Sequence, residues 1–207
     1  IRTTAHPICE DGKVVKVIGN IMDITEREQI ADIDAFLSQA GSKTSVEPFF
    51  DSLARFLAKT LQMDYVCIDR LEGDNLNATT LSVWHDGHFE DNVTYALSDT
   101  PCGDVVGQKI CCFPASVSQF FPRDQALQDL RAESYIGTTL WSHTGQPIGL
   151  IAVIGRRPLD NRLQAEATIE RIAMRAAGEL ERLIGELEIK EAKADLEQRV
   201  IARTAEL

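Results

Sequence analysis

The sequence predicts an α+β fold, an antiparallel sheet flanked by helices with a long helix at either end, and three observations carry that prediction. Short apolar runs separated by Gly, Asp and Asn turn residues fill the middle of the chain, as antiparallel strands do. Ahead of them, apolar residues recur at three- and four-residue spacing, the pattern of helices with one buried face. From about Asp160 to Leu207 the pattern is helical without a single proline. The chain has 207 residues, 44% of them hydrophobic and 26% charged, enough for one core of ordinary size plus a helical extension.

Taken in order, residues 2–10 and 13–22 are extended runs joined by Asp11-Gly12, and Gly supplies the positive φ that a tight hairpin turn needs. Thr25-Glu26-Arg27-Glu28 then has capping-box spacing, with the Thr25 hydroxyl set to accept from the Glu28 amide. Ile30, Ile33, Phe36 and Leu37 follow at helical spacing, and Gly41 stops a helix that ends near Ala40. A second helix is predicted with Ser45 as its N-cap, Pro48 in its first turn and Phe49, Leu53, Phe56, Leu57 and Leu61 as a wide apolar stripe. That stripe needs a sheet to cover. Strands are predicted at 65–71, 79–84 and 89–97, separated by turns at Gly73-Asp74-Asn75 and Asp86-Gly87, which makes an antiparallel meander.

From Ser98 to Gly107 turn formers and small residues predict no regular element. Ile110–Phe113 is expected as a short strand, followed by two short helical pieces around 116–121 and 123–133. Tyr135–Trp141, the turn Thr144-Gly145-Gln146-Pro147 and Ile148–Ile154 form a last hairpin, whose continuous apolar second strand predicts a central place in the sheet. In the final helix Leu180, Leu183, Leu187, Ile189, Leu196, Val200 and Leu207 form a narrow seam among Glu, Lys and Arg, and its phase slips between Leu187 and Ile189. A two-stranded coiled coil with a register break is expected in preference to a lone solvated helix, giving a homodimer through the terminal helices.

A net charge of -11 and a pI near 4.8 count against nucleic acid as a partner, because phosphate binding needs clustered Lys and Arg. The longest apolar run, 148–154, is far too short to span a membrane, and no leader of basic then apolar residues appears, so no membrane contact is expected. Five cysteines, Cys9, Cys67, Cys102, Cys111 and Cys112, form no regular framework, which fits reduced thiols and a cytoplasmic location. Cys111 and Cys112 adjoin on a strand and point to opposite faces, so no thiolate metal cluster is expected. His85, His88 and His143 are expected in hairpin or turn surfaces, and none of the four histidines has a visible catalytic partner.

Tyr95–Val106 (YALSDTPCGDVV) and Phe120–Leu159 (FFPRDQALQDLRAESYIGTTLWSHTGQPIGLIAVIGRRPL) resemble the Thr-Pro-Cys loop and Glu-Ser-Tyr-x-Gly strand of bacterial sensor-type GAF domains, over roughly residues 31–178. Glu10–Gln29 (EDGKVVKVIGNIMDITEREQ) is similar to the last hairpin and exit of a PAS domain, Asp23, Ile24 and Thr25 matching its Asp-Ile-Thr junction. Lys193–Leu207 (KADLEQRVIARTAEL) is similar to coiled-coil linkers that enter histidine-kinase dimerisation domains or cyclic-di-GMP enzymes. These resemblances imply an excised fragment in four parts: the hairpin of a truncated PAS domain (1–24), a linker helix (25–41), a GAF sensor domain (42–178) and a coiled-coil output helix (179–207).

The resemblance also implies a dimeric relay without catalytic activity of its own. A small molecule or an upstream PAS state would act through Asp23, Ile24, Thr25, Leu187 and Ile189 on an output domain outside the chain, of the histidine-kinase or diguanylate cyclase/phosphodiesterase kind. Trp84, Cys102, Asp104, Tyr135 and Trp141 are the candidate pocket residues. The ligand is unknown, and no covalently bound cofactor is expected, because the Cys-His pair of phytochromes and the Asn-Lys-Phe-Asp-Glu signature of cyclic-nucleotide GAF domains are missing. Two alternatives stand beside this reading. One is a GAF-fold free methionine-R-sulfoxide reductase using Cys102 and Cys111; the other is a ligand-free dimerisation spacer.

Overall fold

A computed structural model describes residues 2–10, 13–22, 25–39, 48–73 and 75–205, in two compact units, Ile1–Gln39 and Ala40–Leu207. In the first unit β1 (Arg2–Glu10) and β2 (Lys13–Met22) pair antiparallel with a bulge at Ile8/Cys9, and α1 (Thr25–Gln39) follows. Every residue of β2 is exposed. The Asp11-Gly12 turn, the Asp23-Ile24 junction and Gly41 lie outside the described residues.

The second unit is built on seven strands among the described residues: β3 (Tyr65–Leu71), β4 (Asn77–His85), β5 (His88–Glu90), β6 (Thr94–Ala96), β7 (Cys111–Phe113), β8 (Ser134–Trp141) and β9 (Pro147–Gly155). Their order is β5-β4-β3-β9-β8-β7, with β6 also on β4 and every pair antiparallel. The apolar β9 is central, as its composition requires.

Helices α2 (Phe49–Leu61) and α6 (Arg162–Ala205) cover one face, α2 on β3 and β4, α6 on β8 and β9. There Leu53 and Leu57 of α2 and Ile169, Ile172 and Leu180 of α6 are fully buried, together with the cross-strand neighbours Val66, Val153 and Ile136. Each such side chain contributes about 1.5–3 kcal/mol by leaving water. Gly149 lets α6 approach, since a Cβ there would stand 2.4 Å from both a Leu180 methyl and the Asp69 carbonyl oxygen. The opposite face is covered by short helices α3 (Pro101–Val105), α4 (Val117–Phe120) and α5 (Gln125–Leu130). No helix among the described residues is long and apolar enough to cross a membrane.

Three expectations need correction, and the start of the last helix, expected near Asp160, is refined. Pro48 is not inside the first turn of α2 but at its N-cap, with extended backbone (φ -53°, ψ 145°), and Ser45 lies outside the described residues. The strand expected over 89–97 is two strands, because β4 bulges opposite Ile68/Asp69 and Asn92 caps the gap, accepting from the Thr80 hydroxyl (3.0 Å) and donating to the Leu81 carbonyl (3.3 Å). The segment 98–107 is not irregular throughout: Thr100 caps α3, its Oγ1 accepting from the Gly103 amide at 3.1 Å, with Pro101 at the first helical position. The last helix starts at Arg162, where Asn161 Oδ1 accepts from the Gln164 amide at 3.2 Å.

Candidate ligand-binding site

The layer between the sheet and α3–α5 holds an unusual set of polar side chains. Alternation along β3 turns Cys67, Asp69 and Leu71 to this face, whereas Val66 and Ile68 face the helices. Asp69 is fully buried. The Cys67 thiol donates to its Oδ1 at 2.7 Å and the Tyr95 hydroxyl donates to its Oδ2 at 2.9 Å. Burial raises the carboxyl to about 6, against the partial offset of these two bonds, so near neutrality a buried carboxylate rests on two uncharged donors.

A second pair lies in the same core cluster. The Tyr135 hydroxyl donates to Cys102 Sγ at 3.3 Å, joining β8 to α3. Gly137 makes room for this, since a Cβ there would stand 2.6 Å from the Tyr135 oxygen and 2.9 Å from a Val105 methyl. Thr139 Oγ1 donates to the Val105 carbonyl at 2.7 Å, and Thr138 Oγ1 to the Lys109 carbonyl at 2.6 Å, so β8 holds both ends of the α3–β7 segment. Burial pushes the Cys102 thiol up to about 12 and raises the Cys67 thiol and the Tyr95 and Tyr135 phenols, which therefore stay neutral. The half-buried Cys111 is also raised, by burial first and then by Asp104. A nucleophilic thiol needs the opposite shift.

A groove of about 890 Å³ runs between the starts of β4 and α3 and the segment after α4, lined among others by Leu76, Leu97, Thr100, Asp104 and Phe120. Arg123 and Asp99 pair at its rim at 3.5 Å, both largely exposed. A second groove, of about 430 Å³, lies on the other side of β8, between its end and α6.

Of the residues expected in a pocket, Cys102 and Tyr135 come together in the core, and Asp104 lies on the rim of the first groove, exposed. Trp84 is elsewhere. It stands opposite Val66, on the sheet face that the helices cover, with its ring edge-on to Phe89 at 4.8 Å. Trp141 lines the second groove beside Met174 of α6. Asp23 and Ile24 lie outside the described residues, Thr25 is the first residue of α1, and Leu187 and Ile189 are exposed on α6. Asp69, Tyr95 and Cys67 were not among the expected site residues. The signal for Asp69 was a carboxylate at an inward position of the apolar run Tyr65–Leu71; for Tyr95 there was none without the fold.

The family model of the GAF domain matches residues 45–180. Curated protein sequences give no match. Among solved structures, the GAF domain of an Acinetobacter phosphoenolpyruvate-protein phosphotransferase superposes with a TM-score of 0.60 at 16% identity, over 80% of this chain and 99% of that one. The corresponding domain from Coxiella burnetii gives 0.64 at 10% identity, over 81% and 99%. The chromophore-binding domain of Stigmatella aurantiaca phytochrome P1 gives 0.57 at 9% identity, over 85% and 68%. These likenesses are of fold, and together with the family match over most of the second unit they lead to one conclusion: the chain belongs to the GAF domain family.

Proposed function

We propose that this chain is a sensory segment of a bacterial signal-transduction protein, in which the GAF domain binds a small organic ligand at the Asp69 centre and α6 passes the bound state to an output domain, of histidine-kinase type, beyond it. The observation that carries the reading is the fully buried Asp69 carboxylate, which among the described residues has only neutral O–H and S–H side-chain donors on it. Burying such a group is unfavourable by several kcal/mol unless it is well paired, on the order of the transfer cost of a charged side chain. A ligand that presents an N–H or cationic group replaces the missing partner. The groove over Leu97, which also belongs to the core cluster, offers the way in.

Support for a relay comes from the backbone behind Asp69. Its carbonyl oxygen and Leu180 of α6 both close on Gly149, so a shift of β3 reaches α6 through one packed contact. Support for a homodimer comes from the uneven burial of α6: Ala165, Ile169, Ile172, Ala176 and Leu180 are buried against the sheet, while Leu187, Ile189 and Leu196 are exposed. An apolar seam with polar flanks is satisfied by a second copy of itself. A ligand shifts the paired helices only by its difference in affinity for their two packings. The PAS-like hairpin delivers an upstream signal in the same proposal.

Native mass spectrometry of the full-length protein purified from its own host tests the binding. Wild type is expected to carry an organic molecule that Asp69→Asn loses; if both emerge bare, the domain is a dimerisation spacer. The reductase alternative is disfavoured by thiols whose ionisation burial suppresses.

A further inference from the structure

We propose that the β4–β5 hairpin is a binding site for a divalent ion of the zinc class, with His85, His88 and Glu90 as its protein ligands. Donor atoms of the three side chains all lie within 4.8 Å of one another. His85 Nδ1 is 2.6 Å from Glu90 Oε1, and His88 Nε2 is 3.9 Å from the same oxygen. Around a tetrahedral ion with bonds of about 2.0–2.1 Å, ligand atoms stand about 3.4 Å apart, so side-chain rotation alone closes the site.

The backbone enforces this gathering. Asp86 (φ 46°) and Gly87 (φ 93°) both take positive φ, the geometry of the tightest two-residue hairpin turn, which sets His85 directly opposite His88. Cross-strand partners share a face, and Glu90, two residues beyond His88, shares it too. The imidazole rings are 5.9 Å apart and tilted by 33°. The spacing His-x-x-His-x-Glu across such a turn therefore delivers two ring nitrogens and one carboxylate to one spot. That donor set suits zinc and its neighbours and is a poor cage for magnesium or calcium, which take oxygen ligands.

A supporting layer is also present. Asp86 Oδ2 lies 3.4 Å from His85 Nε2, and the Asp86 carboxylate is gripped by two bonds from Arg156, at 2.7 and 2.8 Å. Arg156 is itself fixed by its amide to Asp64 (2.7 Å) and its Nε to the Leu130 carbonyl (3.1 Å). In the ion-free state Arg156 Nη2, 3.1 Å from His85 Nε2, donates to it while Nδ1–H faces Glu90. With an ion on Nδ1, the proton sits on Nε2 and points at Asp86, so the ring changes tautomer without changing charge. The positive Arg156 is balanced by Asp86 and Asp64. Three protein ligands leave a fourth position to water, and His88, with 64% of its side chain exposed, keeps that position open to solvent.

The test uses the untagged full chain, stripped with chelator and kept reduced. Calorimetric titration with zinc chloride, and cobalt(II) absorption as a second readout, are expected to show one ion per chain at this hairpin, with no response to magnesium. His88→Ala and Glu90→Gln are each expected to weaken binding by about tenfold or more, while His143→Ala leaves it unchanged. Both substituted residues are exposed, and circular dichroism of each variant checks the fold. Absence of zinc binding by the folded wild type, or binding that survives His88→Ala undiminished, overturns the proposal.

Discussion

Asp69 links stability to pH in a direction opposite to that of an ordinary surface carboxylate. Its folded carboxyl sits at about 6 and its unfolded one at 3.8, so between these values the folded chain holds the proton more tightly. The contribution of Asp69 is therefore fully present below about pH 4 and is lost as pH rises through 6. Asp69→Asn removes this slope, and its stability relative to wild type is expected to improve by up to about 3 kcal/mol between pH 4 and 7, since each tenfold difference in proton affinity between the folded and unfolded chain is worth about 1.4 kcal/mol. Urea unfolding of the two proteins across that range checks it; parallel curves would mean that Asp69 is not buried as described. Gly149 gives a second test at this scale. Gly149→Ala forces a methyl against the Asp69 carbonyl and Leu180, and thermal melts are expected to show a loss of about 1–3 kcal/mol, the usual cost of overpacking.

At the scale of the elements, α3 decides how the core centre is closed. It is only five residues long, and its cap, its proline start and the bond from Thr139 to the Val105 carbonyl hold it in place. Thr100→Ala deletes the cap and is expected to destabilise the domain by about 1 kcal/mol, and to quicken amide exchange over 101–105 more than elsewhere. Uniform exchange would place the stability of α3 in its packing instead. The sequence did not reveal α3: Thr100-Pro101 is a helix-start signal, but the small residues after it, Cys102-Gly103-Asp104, have no apolar period to reveal a helix. The break of 89–97 into two strands was equally hidden. It depends on a bulge in β4, and a bulge is visible only against its partner strand.

For the whole molecule, the proposed homodimer rests on the second half of α6. Exposed Leu187 and Ile189 flank the change of phase, and Leu196 continues the seam. Sedimentation of the full chain at micromolar concentration is expected to give a dimer, and Leu187→Asp with Leu196→Asp to give a monomer whose GAF domain melts as before. A wild-type monomer would leave α6 without the role proposed for it.

What the sequence determined by itself was whatever repeats along the chain: the α+β class, the central place of β9, the length of α6 and the helical stripes, because burial of one face imposes a period of two or 3.6 on apolar residues. It also named Cys102 and Tyr135, together with Trp84, Asp104 and Trp141, as candidate pocket residues, without pairing any two of them. The tertiary structure alone decided which polar groups meet. Tyr95 and Asp69 are 26 residues apart and share no pattern, and Trp84 and Trp141 left the candidate pocket because strand pairing turned them elsewhere. A site is made of contacts between distant residues, and the local periodicities that choose secondary structure carry no record of those contacts.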